Sequence, residues 1–177
     1  LKATLNTDQG RAYLPARGDG DRLDSVKLQQ RADPKIIKKT IPAEARFFTI
    51  AIDVQKRRFV VQVQAWGLEA QTWIVDRFNV TDSNRVGEDG KLQHIQPFEY
   101  EEDWHQLDKV IQREYAVEGS TRMAKAMLTV CDSGGSGEGT DNAYAYSARL
   151  SRMGLGQRFA LIKGASSKGA QRINEGN

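Results

Sequence analysis

The chain of 177 residues has one cysteine, Cys131, and two histidines. A lone thiol cannot close an internal disulfide, which fits a reducing compartment. His94 and His105 lack the spacing of a histidine metal site. No run of about 20 apolar residues exists, which excludes a membrane-spanning helix. No signal peptide is visible, and Leu1 stands where an initiator Met would, so a piece of a longer protein is expected. No internal repeat is apparent. Neither sign of charge dominates: the net charge is +3 and the pI about 9.0. That balance is compatible with a polyanionic partner and diagnoses nothing alone. Hydrophobic content of 39% and charged content of 28% are ordinary for a globular fold. The length suits one domain plus an arm.

Residues 1–45 read as that arm. "LPARGDGDRLD" has turn formers and no sustained period. A short helix is expected from Ser25, stopping before Pro34, and "KIIKK" is basic. The domain is expected over residues 46–177. "RFFTIAID" is nearly all apolar, as a strand covered on both faces would be. "RFVVQVQAW" alternates, with Val61, Val63 and Ala65 on one face. "AQTWIVDRFNV" is a third strand, and short polar turns make the three an antiparallel meander. Residues 81–97 read as a polar loop. "EYEEDWHQLDKVIQREYAVEG" reads as a helix, with Trp104, Leu107, Ile111 and Tyr115 on one stripe and Gly119 as its stop. "AMLTVCD" is a short apolar strand, parallel to the first because a helix precedes it. Thr140 and Asp141 are expected to cap a helix ended by Gly154. "RFALIK" is a last strand, followed by a polar tail.

Three strands, helix, strand, helix, strand is an α/β order. A right-handed crossover that sets the fourth strand beside the first gives an RNase H-like mixed sheet: an antiparallel meander extended by parallel strands, with helices on both faces. Asp53 and Asp132 each end an apolar strand. On neighbouring parallel strands they would lie at one sheet edge, about 5 Å apart. Carboxylates that close repel unless a proton or cation intervenes. Hard oxygen donors suit Mg²⁺ or Mn²⁺, and two such ions can together activate water and stabilise the leaving oxygen of a phosphodiester. Lys56, Arg57 and Arg58, in the turn after Asp53, could hold nucleic-acid backbone. The plainer readings are a turn-forming Asp, a solvated basic turn, core anchors for Trp104 and Tyr115, and a buried apolar Cys131. "SGGSGEGT" lacks the Lys-Ser/Thr ending of a phosphate loop.

"FFTIAIDVQKRRFVVQVQAWG", "TWIVDRF", "VCDSGG" and "FALIKG" occur in this order. Together they resemble the nuclease domain of the GpA family of phage terminase large subunits, the lambda-type DNA-packaging enzymes. "LNTDQGRAYLP" is similar to the connector leaving that family's ATPase domain, which is absent here. The resemblance implies an RNase H-like endonuclease, using two Mg²⁺ or Mn²⁺ ions, that cuts double-stranded viral DNA in packaging. It implies Asp53 and Asp132 as catalytic metal ligands. It also implies the terminase small subunit and portal as partners, no membrane, and the host cytoplasm as location. The family's third metal carboxylate is expected beyond the Lys-Gly strand, where the domain reads as incomplete and Glu175 is the one late acid. Asp76 matches a Trp-x-x-Asp position, either orienting a cation or ending a strand. Lys163, closing the last strand, could stabilise charge on the scissile phosphate.

Two rivals remain. An actin-like phosphotransferase shares the element order but needs a glycine hairpin after the first acid, and "DVQKRR" has none. A non-catalytic module with the same fold, docking on DNA or a packaging partner, would use the arm and basic turn for salt-sensitive binding.

Overall fold

Apolar residues at every second position of two long segments dictate the centre of the molecule. In the computed structural model, residues 36–133 and 138–164 are described, with Val26, Gln30 and Pro34 as isolated earlier positions. The elements below belong to the compact unit that starts at Ile37. In chain order the strands are β1 (Thr40–Ile41), β2 (Phe47–Gln55), β3 (Arg58–Trp66), β4 (Thr72–Val80), β5 (Asp82–Val86) and β6 (Leu92–His94). A 3-10 segment (Glu101–Leu107) runs into α1 (Asp108–Ile111), followed by β7 (Glu114–Val117), β8 (Met123–Lys125) and β9 (Leu128–Asp132). The helix α2 (Glu138–Arg152) and the strand β10 (Phe159–Ile162) follow.

The main sheet has the order β10-β9-β2-β3-β4. β2, β3 and β4 form the expected antiparallel meander. β9 runs parallel to β2, and β10 parallel to β9. Phe48, Ile50 and Ile52 of β2, Phe59, Val61 and Val63 of β3, and Cys131 of β9 are buried on one face. The helical segments pack there. Trp104 meets Phe59 edge-on at 5.2 Å, and Tyr146 of α2 meets Phe159 at 5.5 Å. Aromatic pairs in this geometry add about 0.5–1.5 kcal/mol beyond burial. Helices were expected on both faces; among the described residues they pack on this one.

Several local expectations change. The helix expected through Tyr115 ends at Ile111, and residues 114–117 form β7 instead. Tyr115 still reaches the core, packing edge-on against Phe48 at 5.6 Å. β7 pairs parallel with β1 and antiparallel with β8. Gly119, with φ of +67°, therefore serves the β7–β8 turn rather than a helix end. β1 falls inside the expected arm, yet Ile41 is buried. Its short pairing with β7 is a nonlocal contact that no local pattern signals. The polar loop at 81–97 contains the β5–β6 hairpin, held by charge rather than apolar alternation: Arg85 forks onto the buried Asp103. α2 begins at Glu138, ahead of Thr140, so its cap lies outside the described residues. Gly154, with φ of +76°, ends it as expected. Val26 and Gln30, the described positions of the helix expected from Ser25, are helical; Glu175 and the tail after Gly164 lie outside the described residues.

Candidate active site

β2 carries its core side chains at Phe48, Ile50 and Ile52, so Thr49, Ala51 and Asp53 alternate onto the other face. β9 does the same: Thr129 and Cys131 go into the core, and Val130 and Asp132 face out. The parallel register aligns Ile52 with Cys131. One step further along both strands are Asp53 and Asp132. The two acids therefore share a face, a sheet edge and a register position. Both charges reach the buried Cys131, whose thiol is pushed up to about 12 by burial first, then by Asp132 and Asp53. The plain reading of Cys131 as a buried apolar residue holds.

The acids line an open cleft of about 500 Å³ with Val60 and Gln62 of β3, Arg77 of β4, and Ile162 and Gly164 at the end of β10. Asp53 is positioned by its neighbour: Gln55 Nε2 donates to Asp53 Oδ2 at 2.8 Å. Arg58 Nε donates in turn to Gln55 Oε1 at 2.7 Å. One cation of the basic turn thus steadies the acid at one remove. Lys56 and Arg57 are exposed at the same turn. Together with Arg58, Thr81 and His94 they line a neighbouring groove of about 450 Å³. Lys163 follows β10 and is exposed beside the cleft residues Ile162 and Gly164.

Asp76 is not at this site. It accepts a hydrogen bond from Tyr115 Oη at 3.1 Å and lies 3.8 Å from Arg113, on the helix-covered face. Gln55, Gln62 and Arg77 were missed in the sequence. Gln55 had the available signal of sitting two residues from Asp53 on an exposed strand end. Gln62 and Arg77 depend on register, which sequence alone does not supply.

Oxygen-only donors on a solvent-open face fit a hard divalent cation such as Mg²⁺ or Mn²⁺. No group of three or more His, Cys, Asp or Glu side chains converges among the described residues. Asp53 and Asp132 are therefore the two carboxylates on this cleft among the described residues.

The sheet order and the placement of the acids define an α/β fold compatible with RNase H-like nucleases. The chain belongs to the family of terminase large subunit gpA endonuclease domains, whose family model matches residues 1–177. No curated protein and no solved structure matches it. Membership supports a nuclease role in phage DNA packaging. No described helix is long and apolar enough to cross a membrane.

Proposed function

We propose that this chain is a metal-dependent endodeoxyribonuclease domain that hydrolyses phosphodiesters of double-stranded viral DNA, with Asp53 and Asp132 holding Mg²⁺ or Mn²⁺. The observation that carries the reading is the alignment of β2 with β9, which ends in two outward carboxylates on one cleft. When bound, the metal would supply Lewis-acid polarisation of the phosphate and a more acidic water, ideally as a two-ion pair. The chain's own residues do the rest. Asp53 and Asp132 fix the ion position on rigid strands. Gln55, backed by Arg58, holds the Asp53 carboxylate in one orientation. Lys56, Arg57 and Lys163 offer charge to DNA phosphates along the same edge, and Arg77 offers it from within the cleft. In the packaging assembly the terminase small subunit and portal are the partners, in the host cytoplasm.

The test is nicking of supercoiled plasmid with Mn²⁺. Asp53→Asn and Asp132→Asn should each lower the rate by more than about 100-fold, since even outer partners of metal ligands cost about 10–100-fold. Undiminished nicking in both variants would overturn the assignment. A second reading, a docking module without catalysis, is favoured by one observation: no third carboxylate joins the pair among the described residues. Its signature is salt-sensitive DNA binding with no cleavage under Mg²⁺ or Mn²⁺.

A further inference from the structure

β4 is the outer strand of the main sheet. Among the described residues, its free edge receives one backbone hydrogen bond, from Lys39 N–H to the Val75 carbonyl at 2.9 Å. Beyond that point the edge runs along a groove of about 490 Å³. One wall is the chain from Phe78 to Asp82. The other is formed by Gln106 near the end of the 3-10 segment, Lys109 and Val110 of α1, and Arg113 just after that helix. Phe78 and Val80 pair with the core residues Val61 and Phe59, so they face the helical side and give the groove an apolar floor.

A buried donor in the groove points to an occupant. Gln106 is 8% exposed, and its Nε2 has no hydrogen-bond partner among the described residues. A buried amide without an acceptor is costly, and native structures rarely keep one unless something satisfies it. Lys109 is exposed on the same wall. Arg113 is turned across the Phe78 and Tyr115 rings, toward Asp76. The groove therefore combines an open strand edge, an apolar floor, an orphan donor and the exposed cation Lys109, with Asp82 at its other end.

We propose that this groove binds an extended, acidic peptide segment of a partner protein, which adds a strand to the β4 edge. Main-chain hydrogen bonds to the edge supply affinity, and alternate side chains supply selectivity. Apolar residues of the segment sit on Phe78, Val80 and Val110. Its carboxylates meet Lys109, and one acceptor satisfies Gln106 Nε2. A peptide is favoured over DNA because the groove opens on the helix-covered face, opposite Asp53 and Asp132, and is floored by apolar side chains. DNA seated at the acids would run along the other face. Asp82, at the end of the strand wall, sets polarity by repelling acidic residues there.

The test uses the whole chain and fluorescein-labelled dodecapeptides that alternate β-branched with acidic residues, read by anisotropy. Lysine-for-acid versions and a DNA duplex serve as comparators. The acidic peptides should bind, the lysine versions should not, and Lys109→Glu should weaken binding by at least about tenfold. Gln106→Met should also weaken binding while leaving the protein as heat-stable as before or more so. That pairing separates a ligand-binding amide from a structural one. Plasmid nicking should be unchanged in Lys109→Glu, so this proposal and the nuclease assignment fail independently. Equal binding of the lysine peptides overturns the proposal. So does absence of acidic-peptide binding, or duplex binding lost in Lys109→Glu with no peptide bound.

Discussion

Replacing Asp103 by Asn should remove a large part of the stability of this domain. Asp103 is 0% exposed. Its Oδ1 accepts from the Ser83 hydroxyl and from Arg85 Nε at 3.1 Å. Its Oδ2 accepts from Arg85 Nη2 at 2.9 Å and from the Gln96 N–H at 2.7 Å. Arg85 also lies over the Tyr100 ring at 3.6 Å and bonds Gln93 and the His94 carbonyl. The carboxylate therefore joins the β5–β6 hairpin to the start of the 3-10 segment. Burial works against its ionisation. The hydrogen bonds from Arg85, Ser83 and Gln96 and the charge of Arg85 outweigh that, holding its pKa below the usual carboxylate value. An Asn keeps the shape but puts an N–H₂ where two donors already point, and it leaves Arg85 without its countercharge. Breaking one side of such a buried pair costs about 3–5 kcal/mol, against a total of about 5–15 kcal/mol for a domain. At about 2–4 °C per kcal/mol for this size, the melting temperature should fall by about 6–20 °C. Urea unfolding followed by circular dichroism measures it. The pH dependence gives an independent check. A depressed folded pKa contributes stability that is present above the unfolded value, near 4, and is lost as pH falls through the folded value. The gap between wild type and variant should be constant from about pH 6 to 8 and narrow below about pH 4. A loss under about 1 kcal/mol, within the range of one ordinary hydrogen bond, or a gap that does not narrow in acid, would refute the reasoning.

Asp108, the first residue of α1, holds α2 against that helix, accepting from Arg149 Nη1 at 2.9 Å, Arg149 Nη2 at 2.8 Å and Tyr146 Oη at 2.9 Å. Asp108→Asn should cost about 1–3 kcal/mol and raise amide exchange in α2, seen by hydrogen-exchange mass spectrometry. Alanine at Lys56 and Arg57 together should lower the slope of log binding constant against log salt for duplex DNA by about 0.9 per lost phosphate contact. An unchanged slope in filter binding would place DNA elsewhere.

The central strands were legible because their cores are continuous. "RFFTIAID" and "RFVVQVQAW" carry the apolar spacing that burial requires, and β9 and β10 show the same in shorter form. The β5–β6 hairpin was not legible, because "DSNRV" and "LQH" are polar and their pairing rests on Arg85 reaching Asp103 across 18 positions. Tyr115 misled for a different reason: four residues after Ile111 it fits a helical stripe, yet the chain leaves the helix and buries it from a strand. At the site, Asp53 and Asp132 could be read as strand-end acids, and their alignment followed from one topological step. Gln62 and Arg77 had no such signal, since their place in the cleft depends on how β4 is registered against β3.

That register explains why two neighbouring charges on β4 went to opposite faces. Ala65 pairs with Trp73 and Gln64 with Ile74, but Val63 pairs with Asp76, leaving Val75 as an extra residue. Without the bulge, plain alternation from Trp73 would send Asp76 to the acid face and Arg77 to the core. The extra residue inverts both, as bulges do when they re-aim side chains. Asp76 goes under Tyr115 and Arg113, and Arg77 enters the cleft opposite two carboxylates. The cleft thereby gains a cation suited to a phosphate and avoids a third negative charge set back from the strand ends. Asp76→Asn should then lower stability by about 1–2 kcal/mol through its bond to Tyr115 and leave metal-dependent nicking unchanged. Arg77→Ala should do the reverse, weakening DNA cleavage while barely moving the urea midpoint. A nicking defect in Asp76→Asn as deep as that of Asp53→Asn would mean that Asp76 reaches the proposed metal site, and that the bulge does not separate the two charges in solution.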